Sequence, residues 1–282
     1  MLKNIGGKMI KKLKEIFSNR NIWICLGFLL CIIGIWAVSF KNAVEVTSSQ
    51  VGETKTYAWG FVRAKNNEQP SFTKEYTDVL NEYSGIYVGN LDEKVIYLTF
   101  DEGYENGYTG QILDVLKENN VPAAFFVTGD YVKRNEDLVK RMIDEGHIVG
   151  NHSMNHPSFG TLKNEMKIKD EILSLEELVM EKFNYKMTYF RPPKGEYSVF
   201  SMRCIENLGY TTVLWSFAYD DWDVNKQGRE DYAMKLITNN YHNGSIMLLH
   251  AVSKDNANIL QEVISDAREK GYEFKSLEEF KR

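Results

Sequence analysis

Cysteine is scarce in this 282-residue chain, which holds only Cys25, Cys31 and Cys204. The first two fall inside an apolar run. Cys204 is therefore alone in the body, which excludes an internal disulfide there, and the fold must rest on core burial. Cys204 itself reads as a helix core residue. Histidine is also scarce, at five residues, so any close pair of histidines carries weight. No repeat or low-complexity tract occurs. Basic charge is in deficit outside the N-terminus. Residues 1–20 hold Lys3, Lys8, Lys11, Lys12, Lys14 and Arg20 against Glu15, so a net charge of −5 for the chain leaves −10 on the rest. An acidic body excludes nucleic acid as the main partner.

A long uncharged run occurs once, from Ile22 to Phe40. As a helix rising about 1.5 Å per residue, it spans roughly the 30 Å hydrocarbon core of a bilayer. Basic residues crowd its N-terminal side, and only Lys41 follows closely. The positive-inside rule then keeps the head in the cytoplasm and sends the body out. The expected organisation is a basic head (1–21), a transmembrane anchor (22–40), a polar linker (41–60), an N-terminal extension (61–92) and a main domain (93–282). The protein is expected to be single-pass in the cell membrane with its domain extracytoplasmic. The alternative is secretion after cleavage near Ala37-Val38-Ser39, but the apolar core of a signal peptide is usually only about 7–15 residues. Trp59, Phe61, Tyr83 and Tyr87 are expected to pack the extension onto the domain.

From residue 95 a β/α rhythm begins. Strand-like runs are Val95–Phe100, Ala123–Thr128, His147–Gly150, Met187–Arg191, Thr211–Phe217, Ser245–His250 and Tyr272–Lys275. Between them, Ile168, Ile172, Leu175, Val179 and Phe183 mark one helix face, and Ala257, Leu260, Ile264 and Ala267 another. Gly146, Gly209 and Gly271 each stand just past a helix and just before a strand, where a left-handed cap suits glycine. Seven strands alternating with six helices predict an α/β fold with a parallel sheet. A distorted (β/α) barrel of about seven strands is preferred to an open sheet, because polar motifs leave at least five strand ends and a ring gathers them at one mouth.

Those motifs carry the chemistry. His152 and His156, in the polar stretch N-H-S-M-N-H-P, can present two imidazoles to a metal from one side of a turn. His147, inside the preceding strand, reads as a buried structural histidine. Asp101 and Glu102 follow the strand V-I-Y-L-T-F. Adjacent side chains leaving a strand point different ways, so one carboxylate can face a metal while the other faces substrate. Arg191, stiffened by Pro192-Pro193, can orient a carboxylate and lower its pKa. His250 ends the strand S-I-M-L-L-H and suits a general acid, with Asp221 able to hold its ring. Tyr104, Tyr108, Tyr219 and Trp222 suit sugar faces. The set reads as a metal-dependent hydrolase.

In order, T-F-D-E-G (99–103), H-S-M-N-H (152–156), R-P-P-K-G (191–195), D-W (221–222) and L-L-H (248–250) resemble the polysaccharide deacetylase family, the NodB-homology hydrolases of carbohydrate esterase family 4. The resemblance covers about residues 90–280. The stretch Y-L-T-F-D-E-G-Y-E-N-G-Y-T (97–109), with W-G-F (59–61) and Y-V-G-N (87–90), looks closest to the delta-lactam-biosynthetic de-N-acetylases of spore formers, which act on muramic acid in spore cortex. The resemblance implies a NodB-type distorted barrel and a divalent metal, zinc, on His152 and His156. Asp101 would be the general base, Arg191 its orienter, and His250 the acid supported by Asp221. Glu102 stands where most members have Asp as third metal ligand and the delta-lactam group has Asn. Lys194, Pro193, Trp222 and Tyr104 would meet the substrate, with Lys194 on the lactyl carboxylate of muramic acid. The implied partner is a peptidoglycan glycan strand, with the membrane met through the N-terminal helix; no protein partner is implied. The alternatives are an N-acetylglucosamine deacetylase and a non-catalytic glycan-binding module.

Overall fold

Val95–Glu102 is buried at every position, and the main sheet is assembled around it. The structure is a computed structural model that describes Met9, Lys11, Lys14 and residues 53–64 and 67–281. The chain divides into two units, Met1–Glu53 and Thr54–Arg282, and the sheet with its helices belongs to the second. The expected membrane anchor, Ile22–Phe40, lies outside the described residues. Among the described residues, no helix is long and apolar enough to cross a membrane.

In chain order the elements are β1 (Tyr57–Ala58), β2 (Phe61–Val62), β3 (Ser71–Phe72), α1 (Lys74–Glu82), β4 (Val95–Glu102), α2 (Thr109–Glu118), β5 (Ala123–Val127), α3 (Gly129–Arg134), α4 (Glu136–Asp144), β6 (Ile148–Asn151), α5 (Glu165–Phe183), β7 (Tyr189–Phe190), β8 (Glu196–Tyr197), α6 (Val199–Asn207), β9 (Thr211–Thr212), α7 (Glu230–Thr238), β10 (Ser245–His250), α8 (Lys254–Glu269) and β11 (Glu273–Phe274). Seven strands form one sheet in the order β10-β4-β5-β6-β7-β9, with β11 beside the first residues of β4. Every pairing in it is parallel. Parallel strands need crossovers, and helices supply them. Ile96, Leu98 and Phe100 of β4 share one core with the helix residues Ile112, Ile168 and Leu260, while Val95 and Tyr97 face a second core of strand and loop residues that includes Ala124, Phe126, Ile148 and Ile246, so the strand is apolar on both faces. The α/β alternation read from the sequence is thus present.

The apolar stripes face inward as expected. Ile168, Ile172, Leu175 and Val179 of α5 are buried, as are Ala257, Leu260, Ile264 and Ala267 of α8. Each Leu or Ile so buried contributes about 1.5–3 kcal/mol. Phe100 of β4 stacks on Phe125, its partner on β5, with ring centroids 5.0 Å apart. Cys204 is buried on α6.

The sheet is curled, and its gap between β9 and β10 is spanned irregularly. Thr211–Phe217 was expected to be one strand, yet only Thr211–Thr212 pair as a strand, with β7. Beyond them the segment changes neighbours. Leu214 N–H donates to Ile86 O, Ser216 N–H donates to Ile246 O, and Leu248 N–H donates to Phe217 O. Backbone groups that find three successive partners are satisfied without a regular strand.

The expected linker over 41–60 does not extend through its last residues. Tyr57 and Trp59 are buried. Tyr57 pairs with Tyr197 of β8 and stacks on its ring, and Trp59 donates from Nε1 to Trp215 O at 2.8 Å. Trp59, Phe72 and Tyr87 form an aromatic cluster with centroids 4.9–5.3 Å apart. Phe61 is half-buried, with the Arg63 guanidinium 5.7 Å from its ring centre.

Candidate active site

Because the strands are parallel, their C-terminal ends share one edge, and four of those ends supply the site. His250 of β10 lies directly beside Asp101 of β4 in the sheet register. Asn151 of β6 lies beside Phe190 of β7, which brings together His152 and Arg191, the residues that follow those two strands. Asp101, His152, His156 and His250 all line one open cavity of ≈ 960 Å³, with Lys194 and Trp222 at its wall.

Arg191 is fully buried and Asp101 nearly so. Arg191 Nη1 donates to Asp101 Oδ1 at 2.8 Å, and its Nε donates to Val213 O at 3.1 Å. The guanidinium carbon lies 4.1 Å from the ring centre of Phe126, so the cation also rests on an aromatic face. Burial alone would raise the Asp101 carboxyl. The Arg191 charge, with His152 and His250, outweighs it and holds the group below the usual carboxylate range.

The histidine loop is built by its own polar residues. Asn151 Oδ1 accepts from Ser153 N–H, and Ser153 Oγ accepts from His156 N–H. Ser153 and His156 both take positive φ, 67° and 58°, which folds the loop back on itself. Ring centroids of His152 and His156 are 4.8 Å apart. His152 Nδ1 lies 2.8 Å from Arg191 O. A carbonyl only accepts, so Nδ1 carries the proton and Nε2 presents its lone pair, 3.5 Å from Asp101 Oδ2. Burial lowers His152 to about 4 and lowers His156 as well, so both imidazoles are neutral at pH 7. Two neutral imidazoles, one with its tautomer fixed by a backbone carbonyl, fit a divalent metal of the zinc kind.

Glu102, expected as third ligand, is not with them. It is fully buried, is absent from the cavity wall, and neither of its carboxylate oxygens has a hydrogen-bond partner. Asp101 and Glu102 are consecutive on a strand, so they face opposite sides of the sheet. Asp101 takes the side of the histidines, and Glu102 takes the other. Burial, then the Glu105 and Asp101 charges, push its carboxyl well above the usual range. Among the described residues, no three His, Cys, Asp or Glu side chains are grouped to hold a metal.

His250 is clasped by Asp221. Its Nδ1 lies 2.8 Å from Asp221 Oδ1, and its backbone N–H donates to Oδ2 at 2.7 Å. The carboxylate only accepts, so Nδ1 carries a proton and Nε2 is the free ring nitrogen. Burial would lower this histidine, but Asp221 outweighs burial and raises it.

Of the expected substrate contacts, Lys194, Tyr104 and Trp222 line the cavity, and all three are exposed. Lys194 has φ 60°, a left-handed turn that follows the two prolines. Pro193 is buried and is not in the cavity wall. Tyr219 lines the cavity, whereas Tyr108 packs against the core. His147 is buried away from the site. Sequence reasoning missed Trp215 and Met154 in the wall and Asn256 behind Asp221. Trp215 lies in the irregular segment after β9, where no period marks its direction. The close approach of Gly129 to Met154, whose sulfur lies 2.3 Å from where a Cβ would stand, has no signature in a single sequence.

The polysaccharide deacetylase family model matches residues 88–213. PdaA of Bacillus subtilis (strain 168), a peptidoglycan-N-acetylmuramic acid deacetylase, is 46% identical over 263 residues, 91% of this chain and 95% of PdaA. The chain belongs to the polysaccharide deacetylase family. This deacetylase is therefore a hydrolase of carbohydrate esterase family 4, acting on an amide bond. Its fold agrees with that of B. subtilis PdaA, a family 4 carbohydrate esterase, at a TM-score of 0.78 and 44% identity, covering 80% of this chain and 97% of the other. The deacetylase is also 34% identical over 194 residues to a peptidoglycan-N-acetylglucosamine deacetylase of Bacillus cereus, covering 68% of this chain and 90% of that one.

Proposed function

We propose that this enzyme removes the N-acetyl group from muramic acid residues of peptidoglycan, on the route to muramic delta-lactam in spore cortex. The observation that carries the chemistry is the pair of charge partnerships on adjacent strands, Asp101–Arg191 and His250–Asp221, beside two neutral imidazoles. The muramic acid substrate is supported by 46% identity to PdaA across 91% of the chain.

Asp101, kept ionised by Arg191, takes a proton from the water that attacks the acetyl carbonyl. A divalent metal on His152 and His156 would supply Lewis-acid polarisation of that carbonyl. His250, whose hold on a proton Asp221 strengthens, gives its Nε2 proton to the sugar nitrogen as the C–N bond breaks. Acetate and a free amine leave, and one water is consumed. Trp222 and Tyr104 offer apolar faces to sugar rings. Lys194 pairs with the lactyl carboxylate, the group that distinguishes muramic acid from N-acetylglucosamine. The run Ile22–Phe40 anchors the enzyme in the cell membrane with its domain outside.

The test is incubation of the purified protein with muropeptides, with and without stem peptides, in added zinc or in chelator. Mass spectrometry then locates acetyl loss. Loss from peptide-free muramic acid in zinc, abolished by Asp101→Asn, is the expected result. Loss confined to N-acetylglucosamine overturns the substrate, and loss unaffected by Asp101→Asn overturns the mechanism.

A further inference from the structure

Asn256 is fully buried behind the His250–Asp221 pair. It is the third residue of α8, and its backbone N–H donates to Oγ of Ser253, which caps that helix, at 3.2 Å. The cap fixes where its side chain starts. Nδ2 lies 2.6 Å from Asp221 Oδ2 and 3.2 Å from His250 O. Both partners only accept, so the amide nitrogen must face them. The amide oxygen then faces the Tyr219 hydroxyl, which donates to it.

The same helical turn ties down the loop that carries Asp221. Asp255 accepts from the backbone N–H groups of Gly228 and Arg229 at 2.7 and 2.9 Å. Gln227 Oε1 accepts from Lys254 N–H at 2.7 Å. Tyr219 and Asn256 grip the loop at its start, and Asp255 grips it at its end. Asp221 thus takes three donors, two from His250 and one from Asn256. Without the third, a buried carboxylate oxygen keeps only the His250 backbone N–H, and the carboxylate gains freedom to rotate. The imidazole ring follows Asp221, because Asp221 Oδ1 is its Nδ1 partner.

We infer that Asn256, held by Tyr219, is a positioning residue for deacetylation: it locks the Asp221 carboxylate and through it the His250 ring, so that Nε2 stays directed into the cavity. This rests on the reading of His250 as the proton donor. Asn256 carries no charge and does not touch the cavity, so its contribution is geometric.

The test compares Asn256→Ala, Asn256→Asp, Tyr219→Phe and His250→Ala in the full chain. Steady-state kinetics on muropeptides give kcat and KM. Proton NMR follows the His250 Nδ1–H, identified by its loss in His250→Ala. Asn256→Ala is expected to lower kcat by about 10- to 100-fold, as loss of an outer partner does, with KM within about twofold. The Nδ1–H signal shifts or broadens. Asn256→Asp sets a carboxylate against Asp221 and is expected to do no better. Tyr219→Phe lowers kcat in the same direction by less, and it carries the test if Asn256→Ala does not fold. If His250→Ala keeps full kcat, the reading of His250 fails. If His250→Ala is inactive while Asn256→Ala and Tyr219→Phe keep kcat and an unmoved Nδ1–H signal, the inference alone is overturned. A lowered kcat that Asn256→Asp restores also overturns it.

Discussion

Arg191 and Asp101 meet at 2.8 Å with almost no access to water. Removing one partner of such a pair strands the other charge in a low-dielectric interior. Arg191→Ala is expected to cost about 3–5 kcal/mol of stability, read from urea unfolding at pH 7. It also lifts the Asp101 carboxyl, now opposed by burial with less to offset it. An ionised base is then lost at higher pH, so the acid limb of kcat/KM moves upward. An unmoved limb would mean that Asp101 is not the base.

Asp221 is expected to matter through the proton on His250. Asp221→Asn leaves one acceptor oxygen for three donors, His250 Nδ1–H, the His250 backbone N–H and Asn256 Nδ2, and it removes the charge that raises this histidine. The expected loss in kcat is about 10²–10⁴-fold, the scale of general acid catalysis. The sign of the pH shift is fixed. His250 works protonated, its pKa falls when Asp221 is neutralised, and the alkaline limb of kcat therefore moves to lower pH. A pH–rate profile of the residual activity measures this.

Much of the fold was legible because its strands are apolar runs closed by glycine caps. Gly146, Gly209 and Gly271 take φ of 82°, 84° and 83° as their positions required. The polar residues at the strand ends were legible for the same reason: a parallel sheet gathers its C-terminal ends, so Asp101, His152, Arg191 and His250 share an edge. What pattern could not supply was direction after the last regular residue. D-E at 101–102 reads equally with either carboxylate inward, and only the register of β4 decides that Asp101 faces the cavity. Thr211–Phe217 reads as one strand because its residues suit one, although its partners change along its length. Asn256 occupies an ordinary first-turn position on α8, and its importance comes from Asp221, 35 residues earlier in the chain, a pairing that periodicity does not encode.

His147 makes stability fall in mild acid. Burial lowers it to about 4, and its Nδ1 accepts from Ala123 N–H, so it is held neutral in the folded protein. The unfolded chain binds this proton below the ordinary histidine value of 6.5, and the folded chain binds it only below about 4. Stability is therefore full above about pH 6.5 and declines toward pH 4, by about 3 kcal/mol for this group. His147→Asn keeps an acceptor near the Nδ1 position and cannot titrate. Urea unfolding at several pH values should show the decline reduced by about that amount in the variant.

Glu102 gives the opposite sign and separates two pictures of the metal centre. Its carboxyl is raised well above 4.5 by burial and nearby negative charge, and neither oxygen has a partner. A group raised on folding leaves stability intact below its unfolded value and erodes it as pH rises through its folded value. Glu102→Gln keeps the shape and removes the charge. It is expected to raise the melting temperature at pH 7 to 8 and to leave it unchanged near pH 4. If Glu102 stays on the far face of β4, the substitution also leaves zinc affinity within about twofold, while His152→Ala lowers it by far more. Zinc affinity by competition with a chelating dye measures this directly. A large loss of affinity in Glu102→Gln would mean that the carboxylate turns toward His152 and His156 when metal binds, and that the separation of Asp101 from Glu102 by strand alternation does not hold in the loaded enzyme.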